Sequence, residues 1–531
     1  MLRDCIVRFA MATFLLASAP AQNTVAESSP SQPEQSLADI AKAIRAKKRP
    51  EIVITEDDGK ALFKEVNTIF EFANSSSELP IRTPVKHKLI GREETDKRFT
   101  EGIASSDASK KIQRSELVLK KFGMLPSDFH MQNYLTDRGG SEVAGFYDPR
   151  DKTMYLLNWI PLEQQRLVMA HELTHALQDQ NFNLMKWRYP DSSAKDNDDP
   201  TANEKGLETE ARVAVSEGQA MLVYLDYEIK PLGFKLSEST DHFDVLRTRI
   251  LSVYDSPVTF HSAPLVFTET AKFPYYDGVT FELEVLKRAG THAAFAGVFA
   301  RPPLDTHEIM QPEAYLAGTH TAAFSLPNLL PALGSDYKPY DSGSIGELDV
   351  RIMAKQFGRD NDAYSVAPNW NGGAYLTVRK PTAAGKADSE LTLSDIALMY
   401  VSRWKTAAAA ERFADIYKSA VIRRSKLVDD AAAKVTKCND RTVDCTARWY
   451  SRFDTEDGPV VMEISQDNTL MITQSLDDSA VEQVKLALGR SNGESQASSE
   501  PELSLRFMDV PVVRAMREEI LQQLTGKLAG N

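Results

Sequence analysis

Cysteine is almost absent from this chain, with three in 531 residues, and what the three allow is narrow. Cys5 sits inside an apolar N-terminal stretch that reads as a removable leader, which leaves a single pair, Cys438 and Cys445. In an oxidising compartment that pair is expected to close a small loop as a disulfide. A zinc site is the rival reading, but histidine is missing from the whole chain after His320. Long apolar runs are lacking too: beyond the N-terminus nothing approaches the roughly 18 uninterrupted apolar residues of a membrane-spanning helix. Positive charge is not in excess. Lysine and arginine number 62 against 75 acidic residues, a net charge of -13, which argues against a nucleic-acid surface and favours solubility. No internal repeat at a fixed period is visible.

Met1 to Ala21 begins with Arg3 and Arg8, runs apolar from Phe9 to Ala19 and ends on Ala19-Pro20-Ala21. This order of regions predicts a secretory signal peptide cleaved before Gln22. Cys5 lies within it and not at its end, which argues against lipoprotein attachment. A secreted or periplasmic protein, without a transmembrane segment in its mature form, is expected.

What the sequence does contain is His171-Glu172-Leu173-Thr174-His175. By accident this arrangement is expected at roughly 0.01 occurrences per chain of such composition. Its flanks, Glu163 to Ala170 and Ala176 to Gln180, hold neither proline nor glycine and predict a helix, apolar around much of its circumference and therefore buried. Residues four apart share one helical face, so His171 and His175 can grip one metal ion together. Glu172, displaced around the helix, is placed to hydrogen-bond a metal-activated water without being a ligand. The bland alternative is a core helix whose histidines merely hydrogen-bond, but two such rings beside a glutamate are costly to bury without a metal.

A catalytic zinc usually takes three protein ligands. The glycine and histidine that a metzincin places three and six residues beyond the second histidine are here Gln178 and Asn181, which excludes that branch. A glutamate from a second helix is the remaining common solution, and Glu204 to Tyr227 is the candidate segment. Glu217 is followed by the small residues Gly218 and Ala220, which suit close approach to the first helix; Glu208 and Glu210 are rivals.

The stretch His171 to Gln180, with Ser216-Glu217-Gly218-Gln219-Ala220, resembles the gluzincin metallopeptidases, specifically a bacterial secreted group with HELTHALQDQ and EGxA motifs. The likeness extends from about Gly145 to Leu316 and takes in Gly145-Phe-Tyr-Asp-Pro-Arg150, Phe273-Pro-Tyr-Tyr-Asp-Gly278 and Arg301-Pro-Pro303. It implies a Zn2+ site of His171, His175 and Glu217 with Glu172 as general base. One departure is Gln311, where similar proteins tend to carry a histidine before the proline.

The expected activity is hydrolysis of peptide bonds in a peptide or protein substrate, Glu172 taking a proton from the attacking water and passing it to the leaving nitrogen. Tyr224, Tyr227, Tyr275, Tyr276 and His307 are candidates for the donor to the developing oxyanion. The competing expectation is a cell-envelope binding or scaffold protein that keeps the metal fold without turnover. Upstream, Glu142 to Tyr147 and Lys152 to Leu157 read as a hairpin about a proline-containing turn, whose strand is a candidate to take an extended peptide by edge addition.

The fold class expected is α+β: a mainly helical zincin-like catalytic domain with a small β-hairpin, a helical region before it and an α+β region after it. The corresponding boundaries are a signal peptide at 1–21, a flexible leader at 22–36, a helical region at 37–124, the catalytic domain at 125–325 and the C-terminal region at 326–531. Helices are predicted over Leu37 to Ala46, Gly59 to Phe72 and Ile112 to Phe122, with a polar interruption near Asn74 to Ser77. Asp191 to Asn203 reads as a solvated loop, with calcium binding as its rival. Further on, Gly346 to Phe357 and Ala407 to Val421 read as helices, Gly373 to Val378 and Ile396 to Trp404 as strands, Val460 to Ile464 and Thr469 to Thr473 as a hairpin, and Ser491 to Pro501 as a loop.

Overall fold

The computed structural model describes residues 54–103, 106–138, 145–189, 206–238, 263–321, 324–428, 434–437 and 447–491, and it is a mixed α+β protein with two sheets. The signal peptide, the flexible leader, the helix at Leu37 to Ala46, the acidic loop, the Cys438 and Cys445 pair and all but the first residue of the loop after Ser491 lie outside the described residues. Among those described, no helix is long and apolar enough to cross a membrane.

The first ordered element, α1 (Glu56–Phe63), starts on a capping box in which the Thr55 hydroxyl accepts from Asp58 N at 3.1 Å and the Asp58 carboxylate accepts from Thr55 N at 3.3 Å. A separate α2 (Val66–Ser77) follows, so the single helix expected from Gly59 to Phe72 is two. Nor do Asn74 to Ser77 interrupt it. They are its last turn, because their polar groups find partners there: Ser77 Oγ donates to Ala73 O at 2.6 Å, Asn74 Nδ2 to Leu79 O at 2.7 Å and Ser76 Oγ to Asp226 at 2.5 Å. Glu78, at φ 58°, ends the helix.

Strand β1 (Lys86–Ile90) then leads to α3 (Arg92–Ile103) and α4 (Ser106–Lys121). β2 (Gly145–Asp148) and β3 (Thr153–Leu157) are the antiparallel hairpin foreseen in the sequence, and β1 adds to it in parallel, in the order β1-β3-β2. The region before Gly123, read as purely helical, thus supplies a strand. Lys86-His87-Lys88-Leu89-Ile90 is mostly exposed and shows no alternation of apolar and polar residues from which a strand is recognised. β3, buried along its whole length, leaves β2 on the edge.

Behind the sheet lies α6 (Leu162–Phe182), buried on nearly every side from Leu167 to Asp179, followed by the short α7 (Leu184–Arg188). The α5 helix (Met131–Arg138) precedes β2. Helix α8 (Gly206–Ile229) packs against α6. Next, α9 (Leu265–Phe273) and α10 (Val279–Ala289) are joined by a π turn at Pro274–Gly278, and a second π turn at Ala293–Gly297 comes before α11 (Thr306–Met310).

The C-terminal part is a seven-stranded antiparallel sheet in the order β4-β5-β6-β10-β9-β8-β7, with β4 (Lys338–Ser344), β5 (Trp370–Arg379), β6 (Ile396–Trp404), β7 (Lys434–Lys437), β8 (Ala447–Thr455), β9 (Gly458–Ser465) and β10 (Thr469–Gln474). The longer helices that accompany it among the described residues are α12 (Glu347–Phe357), α13 (Ala407–Arg424) and α14 (Asp478–Ser491). One stripe of α12 clamps this part onto α9, the first π turn and α11. Glu347, Arg351 and Lys355, four residues apart, meet His307, Asp277 and Glu269, the Arg351–Asp277 pair through two bonds of 2.7 and 2.6 Å.

Candidate metal centre

α6 and α8 bring three side chains to one point. His171 and His175, one turn apart on α6, approach each other at 3.1 Å between Nε2 atoms, and Glu217 Oε2 from α8 lies 3.3 Å from the first and 3.2 Å from the second. All three are buried and together form a group able to hold a metal ion. The separations are informative. Ligands at about 2.0–2.1 Å from a tetrahedral ion stand about 3.3–3.4 Å apart, close to the triangle seen here. Burial pushes His171 down to about 4, its bond to Glu217 notwithstanding, so the ring is neutral near pH 7 and keeps a lone pair for a cation. Burial alone would raise Glu217, but the electrostatic pull of His175 and Arg188 and the contacts with both histidines outweigh it and hold the carboxyl well below its usual range. Two imidazoles and a carboxylate crowded at this distance, away from water, suit a divalent ion.

Glu217 depends on a residue that the sequence reading passed over. Arg188 Nη2 donates to Glu217 Oε1 at 2.9 Å and Arg188 Nε to Ser216 Oγ at 2.8 Å, which ties up one carboxylate oxygen and turns the other toward the histidines. Arg188 reaches this place because α6 stops at Asn183, in the left-handed region at φ 54°, and the chain doubles back as α7. Asp179 secures that turn. It accepts from Leu184 N at 3.1 Å, Tyr147 Oη at 2.9 Å and Lys152 Nζ at 2.6 Å, binding turn, helix and hairpin together.

Glu172 stands apart from the metal group, as its place on the helix requires. Its Oε2 accepts from Tyr147 N at 2.7 Å, so the carboxylate lies against the edge strand β2. Gly145 makes that proximity possible: a Cβ there would fall 2.6 Å from Val168 Cγ1 and 3.1 Å from Tyr155 O.

The small residue after Glu217 works differently from expectation. A Cβ on Gly218 would meet Gly278 O at 2.5 Å and the Glu282 side chain at 3.1 Å, not α6, so Gly218 lets α8 press against the π turn at Pro274–Gly278. Gly278 is the counterpart, facing the Ala214 carbonyl. This contact also delivers Tyr275, whose hydroxyl donates to Glu217 Oε2 at 3.4 Å and whose ring lies 6.4 Å from that of His171. Among the five oxyanion-donor candidates it is Tyr275 whose hydroxyl reaches the group. Both nitrogens of His307 are engaged, Nδ1 with Glu347 and Nε2 with Lys405. Tyr227 packs edge-on against Phe72 at 5.1 Å.

The rival glutamates are elsewhere. Glu208 pairs with Arg212, and Glu210 is buried, its pKa raised well above the carboxylate range by burial and then by the charge of Asp349. Gln311 donates to Glu347 Oε1 at 2.8 Å, joining the His307 cluster and not the metal group.

Comparisons of the chain with protein-family models, with curated proteins and with solved structures found no match.

Proposed function

We propose that the protein is a secreted zinc-dependent peptidase of gluzincin type, with zinc held by His171, His175 and Glu217. The observation that carries the reading is the 3.1–3.3 Å triangle of donors on two helices with Glu172 next in sequence to the first ligand. Zinc bound there supplies Lewis acidity and brings the pKa of a water it holds to about 7. Glu172 is the base: its carboxylate takes the proton of the attacking water and returns it to the leaving nitrogen. Arg188 keeps Glu217 ionised and oriented. Tyr275 is the donor nearest to where negative charge would gather on the scissile carbonyl. The unpaired side of β2, with Tyr147 N turned to Glu172, suits an extended peptide laid alongside as a further strand.

The test is Glu172→Gln in the mature protein. It should bind about one zinc per chain, as wild type does, while cleavage of unstructured peptides falls by roughly 10²–10⁴-fold. Wild type that holds zinc yet cleaves nothing in a broad peptide library would favour a binding or scaffold role instead.

A further inference from the structure

We infer that Gln178 and Gln219 form a hydrogen-bond relay that keeps a hydrogen on His175 Nδ1, so that Nε2 is the nitrogen the ring offers to a metal. The inference rests on reading His171, His175 and Glu217 as metal ligands. It starts at the second π turn, where Gln219 Nε2 lies 2.8 Å from Ala294 O and 3.2 Å from Phe295 O. A backbone carbonyl only accepts, so this end of Gln219 is its NH2, and its Oε1 faces Gln178. Gln178 Nε2 donates to that Oε1 at 3.1 Å and to Ser216 O, again an acceptor only, at 2.9 Å. The Gln178 amide is thereby fixed at both donors. Its Oε1 is directed at His175 Nδ1, 2.8 Å away.

An amide oxygen does not donate, so Nδ1 carries a hydrogen, and Nε2, which faces Glu217 Oε2 at 3.2 Å, is the nitrogen left to exchange its contact for a metal. Reversing either amide would set oxygen against oxygen at a buried carbonyl, so three backbone carbonyls, those of Ser216, Ala294 and Phe295, dictate the ring's protonation site. Arg188 Nη2 also lies 3.5 Å from Nδ1, but its short bond, at 2.9 Å, goes to Glu217. His171 differs: its Nδ1 is buried without a partner among the described residues, so nothing there fixes its tautomer. One histidine is preset, and the other adjusts when the ion binds. Gln178 and Gln219 are therefore positioning residues, acting on the metal through His175.

Neutron diffraction from deuterium-exchanged crystals of the metal-free protein reads the tautomer directly. Deuterium on His175 Nδ1 is expected; a bare Nδ1 overturns the relay. Zinc affinity, measured by competition with a chromophoric chelator, provides the second readout. Gln178→Met, similar in shape but unable to accept from Nδ1, should weaken binding about 10–100-fold and lose the deuterium on Nδ1 from the neutron map. A merely structural role would lower affinity while leaving Nδ1 deuterated, and that result overturns the proposal. The expected tautomer in a protein that binds no zinc would instead overturn the metal reading and leave the relay standing.

Discussion

Gly218→Ala is the smallest change that should dismantle the metal centre, because it adds one methyl group where two segments touch. The new Cβ would lie 2.5 Å from Gly278 O, while ordinary contact begins near 3.4 Å, so α8 and the π turn must separate by about 0.9 Å. Glu217 is the neighbouring residue, and metal sites tolerate only about ±0.2 Å in ligand distance. The expected loss of zinc affinity is at least about tenfold, or about 1.4 kcal/mol, together with about 1–3 kcal/mol of lost stability from overpacking. Gly278→Ala meets the Ala214 carbonyl from the opposite side and should act alike. The control is Gly489→Ala, exposed in α14 with nothing within 4 Å of its Cβ; it should leave zinc binding unchanged and add up to about 1 kcal/mol of stability. Zinc competition and urea unfolding measure both quantities on the same samples. Wild-type affinity and stability in Gly218→Ala would refute the claim that this crossing positions Glu217.

Arg188→Met should lower zinc affinity about 10–100-fold by freeing Glu217 Oε1, and Arg188→Lys should rescue it poorly, since one ammonium cannot reproduce the fork shared between Glu217 and Ser216; chelator competition tests both. Burial raises the Asp341 carboxyl from 3.8 to about 7 against the Tyr375 hydroxyl bond, so between about pH 4 and 7 the fold keeps a proton that the unfolded chain has released. Stability therefore falls as pH rises through that window, by about 4 kcal/mol from this group, and Asp341→Asn should raise the melting temperature at pH 8 while changing little at pH 4. An unaltered profile of melting temperature against pH would contradict this. Arg351→Met leaves Asp277 buried without its partner and should cost about 3–5 kcal/mol in urea unfolding, where a loss below 1 kcal/mol would show that the clamp of α12 is dispensable.

The spacing of His171, Glu172 and His175 was legible because a helix converts sequence offset directly into a shared face. Strands such as Ile396–Trp404, read with the bounds seen in the structure, were legible because a short apolar run, Ile396 to Val401, that includes β-branched and aromatic residues leaves few alternatives. Glu217 was harder. The small residues after it favoured it over Glu208 and Glu210, but the resemblance carried more of the weight, since the choice depends on how α8 is rotated against α6, and that is fixed by Gly218 and Gly278 meeting across sixty residues of chain. Arg188 was missed for a similar reason: its approach depends on the left-handed turn at Asn183, whose direction no local periodicity encodes. Gln178 entered the sequence argument as a residue that excluded another family and as part of the resembling stretch, without a role of its own, although a histidine ligand usually needs an acceptor for its second nitrogen and one three residues further along the same helix could have been sought. β1 stayed hidden because it is held by pairing with β3 and not by an apolar face of its own.

The central claim is that one ion sits between α6 and α8. Crystals of the protein grown with zinc, measured at the zinc absorption edge, test it most directly. The account predicts a single strong anomalous peak about 2.0–2.2 Å from His171 Nε2, His175 Nε2 and Glu217 Oε2. A peak on Glu208 or Glu210, or no peak between the helices, would contradict it.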